Sequence, residues 1–235
     1  MCTMSEDNVL ITKPLEVIQQ EGDKSTGTVI FLHGSGDTGQ GVMQWVRSLH
    51  KFSFPHLRVL FPTAPVRPMT IYGGMKSNVW FDRVKLAPDA KEDLPTLDAT
   101  AKELVNIVNS EVKRGVPLNR IVIGGFSMGG GMSLHLGYRY LKGIAGVFAL
   151  SSFLSTTSCV YESLEKQKSE TAPPLFMCHG TADDLIVEPW GKDTFTNLTK
   201  YGVKGEYHVL PHVAHELDRK ELERLSIWIQ EKVPQ

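Results

Sequence analysis

Asn119-Arg120-Ile121-Val122-Ile123-Gly124-Gly125-Phe126-Ser127-Met128-Gly129-Gly130-Gly131-Met132-Ser133-Leu134-His135-Leu136-Gly137 is the stretch on which the fold turns. A β-branched apolar run meets a glycine cluster and passes straight into a helix-like segment. Gly125-Phe126-Ser127-Met128-Gly129 fits G-x-S-x-G, the nucleophile elbow, in which small flanking residues let the chain turn so sharply that the central hydroxyl projects above a sheet. A Cβ at either flanking glycine would crowd the neighbouring strand and helix. Five positions make a short motif, so its meaning depends on the segments around it.

Those segments alternate. Thr28 to Leu32 reads as a buried strand, followed by a glycine-rich loop and an amphipathic helix over Val42 to Phe52. Leu57 to Phe61 is the next strand, and a long loop, Pro62 to Asp82, follows it. Leu94 to Arg114 has a 3.6-residue apolar period, and Gly115 and Pro117 stop it. Beyond the elbow come strands at 144–150, 174–178 and 206–210, with helices at 161–168, 190–201 and 216–232. Val9 to Val17 supplies an edge strand. This order predicts an α/β fold, a mostly parallel central sheet with helices on both faces, in one domain over residues 1–235.

The 235 residues are 41% apolar and 22% charged, enough for a sizeable core. With 25 basic and 26 acidic residues interspersed, a net charge of −1 provides no field for nucleic acid or an anionic membrane. The polar, acidic N-terminus and the lack of an 18-residue apolar run predict a cytosolic chain without a membrane span. Cys2, Cys159 and Cys178 are an odd set without metal-like spacing, expected reduced, the latter two as small core residues.

Sites in such sheets lie at the carboxyl ends of strands. Three successive strand ends carry Ser127, then His179-Gly180-Thr181-Ala182-Asp183-Asp184, then Pro211-His212-Val213-Ala214-His215-Glu216. A serine hydroxyl needs a base to become a nucleophile, and the base needs a carboxylate to orient it. Ser127, Asp183 and His215 stand in the chain order of α/β-hydrolases. Asp184 and His212 are the runners-up, Asp183 being preferred for its spacing from Gly180 and His215 for its place directly before the closing helix. Expected oxyanion donors are the backbone N–H of Met128 and of Ser35, the latter in the loop His33-Gly34-Ser35-Gly36. Trp80 and Tyr72 in the long loop and Ile186 past the acid are the candidate pocket residues. Gly34 to Gly39 also satisfies G-x-G-x-x-G, but the region after the next strand, Leu60 to Ala64, has no acid for a ribose. His208, His212 and His215 lack zinc-like spacing. No cofactor and no metal are expected.

Phe31 to Gly41, Pro62-Thr63-Ala64-Pro65, Trp80-Phe81-Asp82, Gly124 to Gly130 and His179-Gly180 with Asp183 together resemble the acyl-protein thioesterase and lysophospholipase group of carboxylesterases. The resemblance implies a cofactor-free serine esterase acting on acyl oxyesters or thioesters, including S-acylated proteins, with the triad on Ser127, Asp183 and His215. It departs at Ser35, where the thioesterases usually carry leucine, and at Met128, where they carry glutamine. The long loop, with Tyr72-Gly73-Gly74 and Lys76, is less apolar than a sheath for a long acyl chain, so short chains should be favoured. Cys2 is a candidate for lipidation, though one acyl chain without a polybasic patch anchors only weakly and reversibly. The rival readings are a hydrolase fold kept as a binding module without turnover, and another lipid esterase.

Overall fold

The computed structural model describes residues 12–22, 24–167 and 172–235. Seven strands form the main sheet in the order β1-β3-β2-β6-β7-β8-β9. The strands are β1 (Thr12–Ile18), β2 (Gly27–Leu32), β3 (Leu57–Thr63), β6 (Ile121–Phe126), β7 (Gly146–Leu150), β8 (Leu175–Gly180) and β9 (Gly205–Leu210). Only the β1–β3 pair is antiparallel. Of the expected edge strand, residues 9–11 lie outside the described residues, as does Cys2.

Alternate residues of the strands feed two cores, as the two-residue strand period requires. Ile30, Leu32, Ile121, Ile123, Val147, Ala149, Leu175 and Met177 pack on the face covered by α2 (Leu94–Lys113), α3 (Met128–His135), α4 (Cys159–Gln167) and α5 (Glu188–Lys200). Val29, Phe31, Val122, Phe148, Leu150 and Phe176 pack on the other, under α1 (Gly39–Leu49) and α6 (Arg219–Lys232).

The chain leaves β2 through α1 toward β3 on one side, and leaves β6 through α3 toward β7 on the other. The direction of travel therefore reverses between β2 and β6, and their carboxyl ends open a crevice where a ligand can reach both loops. His33-Gly34-Ser35 and Ser127 are the residues at those two ends.

Three boundaries differ from the sequence reading for physical reasons. Helix α1 begins at Gly39, not Val42, because the Thr38 hydroxyl accepts the Gly41 N–H at 3.0 Å and caps it. Helix α6 begins at Arg219 under an Asp218 cap, so His215 sits in a loop several residues before the helix. The long Pro62–Asp82 loop contains a short antiparallel hairpin, β4 (Val66–Met69) with β5 (Met75–Asn78), turned by a 3₁₀ segment and Gly73-Gly74. No helix among the described residues is long and apolar enough to cross a membrane.

Candidate active site

The elbow is built by sterics. Ser127 holds φ 53° and ψ −120°, a conformation rare for a residue with a Cβ. It is held there because its N–H donates to Leu150 O at 2.8 Å and its carbonyl accepts the Ser152 hydroxyl at 2.7 Å and the Gly131 N–H at 3.2 Å. A Cβ on Gly125 or on Gly129 would drive into the carbonyl oxygen of Leu32, a backbone atom that cannot swing away. Both glycines are therefore what lets α3 leave β6 so close to β2.

At that joint the structure brings three sequence-predicted residues together. His215 Nε2 lies 3.0 Å from Ser127 Oγ, and His215 Nδ1 lies 2.7 Å from Asp183 Oδ2. An ionised carboxylate only accepts, so Nδ1 carries the proton and Nε2 faces the hydroxyl with its lone pair. Phe126 packs on the imidazole with ring centroids 4.8 Å apart.

Asp183 is buried, and its second oxygen accepts the N–H groups of Leu185 at 3.1 Å and Ile186 at 2.8 Å. Ile186 thus meets the acid through its backbone, while its side chain is buried rather than displayed to a ligand. His179, fully buried one strand end away, points Nε2 at Ile186 O at 2.7 Å and at Asp183 Oδ2 at 3.3 Å. Burial pulls the His179 pKa down, so the ring sits there as a neutral donor.

The runners-up are elsewhere. Asp184 is exposed. His212 is an exposed turn residue at φ 66°, its N–H donating to the Thr181 hydroxyl at 2.9 Å, which ties the His215 loop to the Asp183 loop.

Met128, as the first residue of α3, has an N–H without an intrahelical acceptor, where the helix dipole favours negative charge. Opposite it, Gly34 lies so close that an added Cβ would come within 3.5 Å of Ser127 Cβ, which puts the Ser35 loop against Ser127. That loop is pinned from beneath. Fully buried His33 donates from Nδ1 to Gly34 O at 2.6 Å and accepts the Ala64 N–H on Nε2 at 2.9 Å, and burial lowers its pKa, so it too is neutral. The Trp80 indole N–H donates to His33 O at 2.8 Å, with the two rings 4.8 Å apart.

Trp80 is therefore a correction to the sequence reading. Its side chain is wholly buried beneath the loop and offers no surface to a ligand. Tyr72 stands more than half exposed in the turn of the β4–β5 hairpin. Neither residue, nor Ile186, lines the cavity that lies beside α3. That cavity, about 40 Å³, is walled by Phe81, Arg83, Gly131, Phe153 and Leu154 among others.

A further group is invisible to spacing arguments. Glu92, His135 and Cys159 converge, with His135 Nε2 3.2 Å from Glu92, His135 Nδ1 3.9 Å from the thiol, and the Cys159 N–H donating to Glu92 at 3.0 Å. Cys159 is thus half-buried in a polar cluster rather than a core residue, and burial together with Glu92 pushes its thiol up to about 12. Cys178 is buried, as expected. Both thiols are free.

Residues 13–233 match the family model described as phospholipase/carboxylesterase. The chain belongs to that family. It is 45% identical over 213 residues to mouse Lysophospholipase-like protein 1, covering 90% of this chain and 89% of that one. It is 32% identical over 220 residues to Acyl-protein thioesterase 1 homolog 1 of Dictyostelium discoideum, covering 92% and 95%. Among solved structures, Arabidopsis thaliana SOBER1 superposes with a TM-score of 0.79 at 25% identity, over 89% of this chain and 99% of that one. Zea mays acyl-protein thioesterase 2, at 24% identity, shares the fold with a TM-score of 0.82 over 94% and 100%. The match thus spans nearly the whole described chain and not an isolated motif.

Proposed function

We propose that this chain hydrolyses carboxylic esters and S-acyl thioesters, S-acylated proteins included, through Ser127 as nucleophile, with short acyl chains favoured. The observation that carries the reading is one imidazole spanning from Asp183 to Ser127 with contacts of 2.7 and 3.0 Å. His215 Nε2 takes the Ser127 proton as Oγ adds to the acyl carbon. The oxyanion forms between the Met128 and Ser35 N–H groups, and the imidazolium returns its proton to the departing alcohol or thiol. Water then attacks the acyl-enzyme by the same relay and releases the acid. The names of the relatives support acyl ester and thioester substrates. The preference for short chains is supported by the small size of the cavity beside α3, about 40 Å³.

Fluorophosphonate labelling that disappears in Ser127→Ala tests the nucleophile, and labelling that survives in that variant would refute it. Turnover of aryl esters from acetyl to palmitoyl tests the pocket. A clear preference for palmitoyl would refute the short-chain reading.

A further inference from the structure

Arg83 is the anomaly in the cavity beside α3. Its guanidinium lies over the Phe81 ring at 4.9 Å and near the Phe153 ring at 5.8 Å, all three residues lining the cavity. Its Nε is cut off from solvent and has no hydrogen-bond partner. Arg58 and Arg139 each pair with a carboxylate at 2.8 Å, whereas no acid among the described residues pairs with Arg83. The two acids that share the cavity are occupied. Asp82 accepts from the Thr70 N–H and hydroxyl and from the Arg83 N–H, and Glu92 is bonded to His135 and to the Cys159 N–H. Burial without a counter-ion pulls the guanidinium down to about 10. The residue as a whole is half-buried, so its charge is partly solvated, but within the cavity it has no acidic partner and is free to pair with an arriving anion.

The cavity also has a fixed relation to the nucleophile. Gly131 follows Ser127 by four residues, about 6 Å of helix rise. Gly131 thus lines the cavity about one helical turn beyond Ser127, which sets the cavity close to the end of the chain that Ser127 would hold. The 40 Å³ volume suits the three heavy atoms of a carboxylate. Lys91 also lines the cavity, as does Lys85, whose ammonium is paired with Asp89 at 2.6 Å.

We propose that this cavity receives a carboxylate at the far end of a short acyl chain, so that the favoured substrates are half-esters or half-thioesters of a short dicarboxylic acid, with Arg83 as the carboxylate's partner. The assignment rests on the serine-ester reading above and names its substrate class.

The test compares mono-4-nitrophenyl glutarate with 4-nitrophenyl valerate, the same chain without the charge. In the wild type kcat/KM should favour the glutarate ester. Arg83→Met should lose about tenfold or more on glutarate, chiefly in KM, while valerate stays within about twofold, because the charge-assisted hydrogen bond is lost while the methionine stem still packs between the Phe81 and Phe153 rings. Arg83→Lys should recover part of the loss. Equal rates on the two esters in the wild type, or an equal fall on both in Arg83→Met, would overturn the proposal. Binding is read separately from turnover. Sodium glutarate should raise the melting temperature of the wild type and not of Arg83→Met, and the absence of that difference also overturns the subsite. If neither ester is hydrolysed while the melting shift persists, the esterase reading fails and the anion subsite stands.

Discussion

Asp183→Asn separates the relay from everything else the site provides. One oxygen of Asp183 accepts two backbone N–H groups, from Leu185 and Ile186, and the other accepts His215 Nδ1–H. An asparagine must keep its carbonyl on the two N–H donors, which turns its NH₂ toward His215 Nδ1. The imidazole then holds its proton on Nε2, facing Ser127, and cannot take another. The same substitution in a serine-protease triad lowers kcat by roughly 10⁴, equivalent to about 5 kcal/mol of barrier at 1.36 kcal/mol per decade, and a loss of that order is expected here. The NH₂ also meets the His179 Nε2–H, which lies 3.3 Å from the carboxylate, so about 1–3 kcal/mol of stability should go with it. Initial rates on a short aryl ester, with circular dichroism and a melting curve on the same preparation, separate the two effects. A folded Asp183→Asn variant retaining more than a tenth of wild-type kcat would refute the relay. So would an equal loss in Asp184→Asn, since Asp184 is exposed and outside the triad geometry.

Other outcomes follow from packing and charge. Gly129→Ala should abolish activity and destabilise, because its Cβ meets the carbonyl oxygens of Leu32 and His33, whereas Gly131→Ala, with no contact closer than 3.5 Å, should gain about 0.5–1 kcal/mol of helix stability in a denaturant titration. Trp80→Phe removes the N–H that supports His33 O and should lower kcat by about tenfold with little change in KM, as expected if the indole acts only by positioning the Ser35 loop. Glu221 is buried, and burial raises its carboxyl from 4.5 to about 8. The folded state therefore keeps this proton longer than the unfolded chain does. Full stability from this group is present below about pH 4.5, and it falls as pH rises, by up to about 4 kcal/mol near pH 8. Glu221→Gln should melt higher than wild type at pH 8 and the gap should close by pH 5. A gap that is the same at both pH values would show that Glu221 does not hold a proton in the fold.

The order of elements was legible because each strand is a run of buried apolar residues and most helices keep their period, so the topology follows from alternation and handedness alone. The juxtaposition of Ser127, Asp183 and His215 was legible for a related reason: each lies within five residues of a strand's carboxyl end, and parallel strands deliver those ends to one edge of the sheet. What could not be read is whatever depends on contacts between distant segments at fixed distance. The β4–β5 hairpin hid because four-residue strands containing Pro68 and the polar run Lys76-Ser77-Asn78 lack an alternating pattern. Trp80 is the sharper case. A tryptophan in a long loop beside an expected site reads equally as a ligand platform or as a support, and its role depends on whether its N–H finds an acceptor in the protein. It finds His33 O, 47 residues back in sequence. The neutral imidazole of His33 completes the same brace by bonding Gly34 O and the Ala64 N–H, so two buried side chains hold the main chain of the loop that carries Ser35, the proposed second oxyanion donor. Because the donor is an amide, the side chain at position 35 was free to become serine without altering it. On the proposed reading, the departures at Ser35 and Met128 leave the oxyanion donors unchanged, because both are backbone amides. On the same reading, differences in substrate choice are expected from residues whose side chains reach the cavity, among them Arg83, which has no acidic partner there.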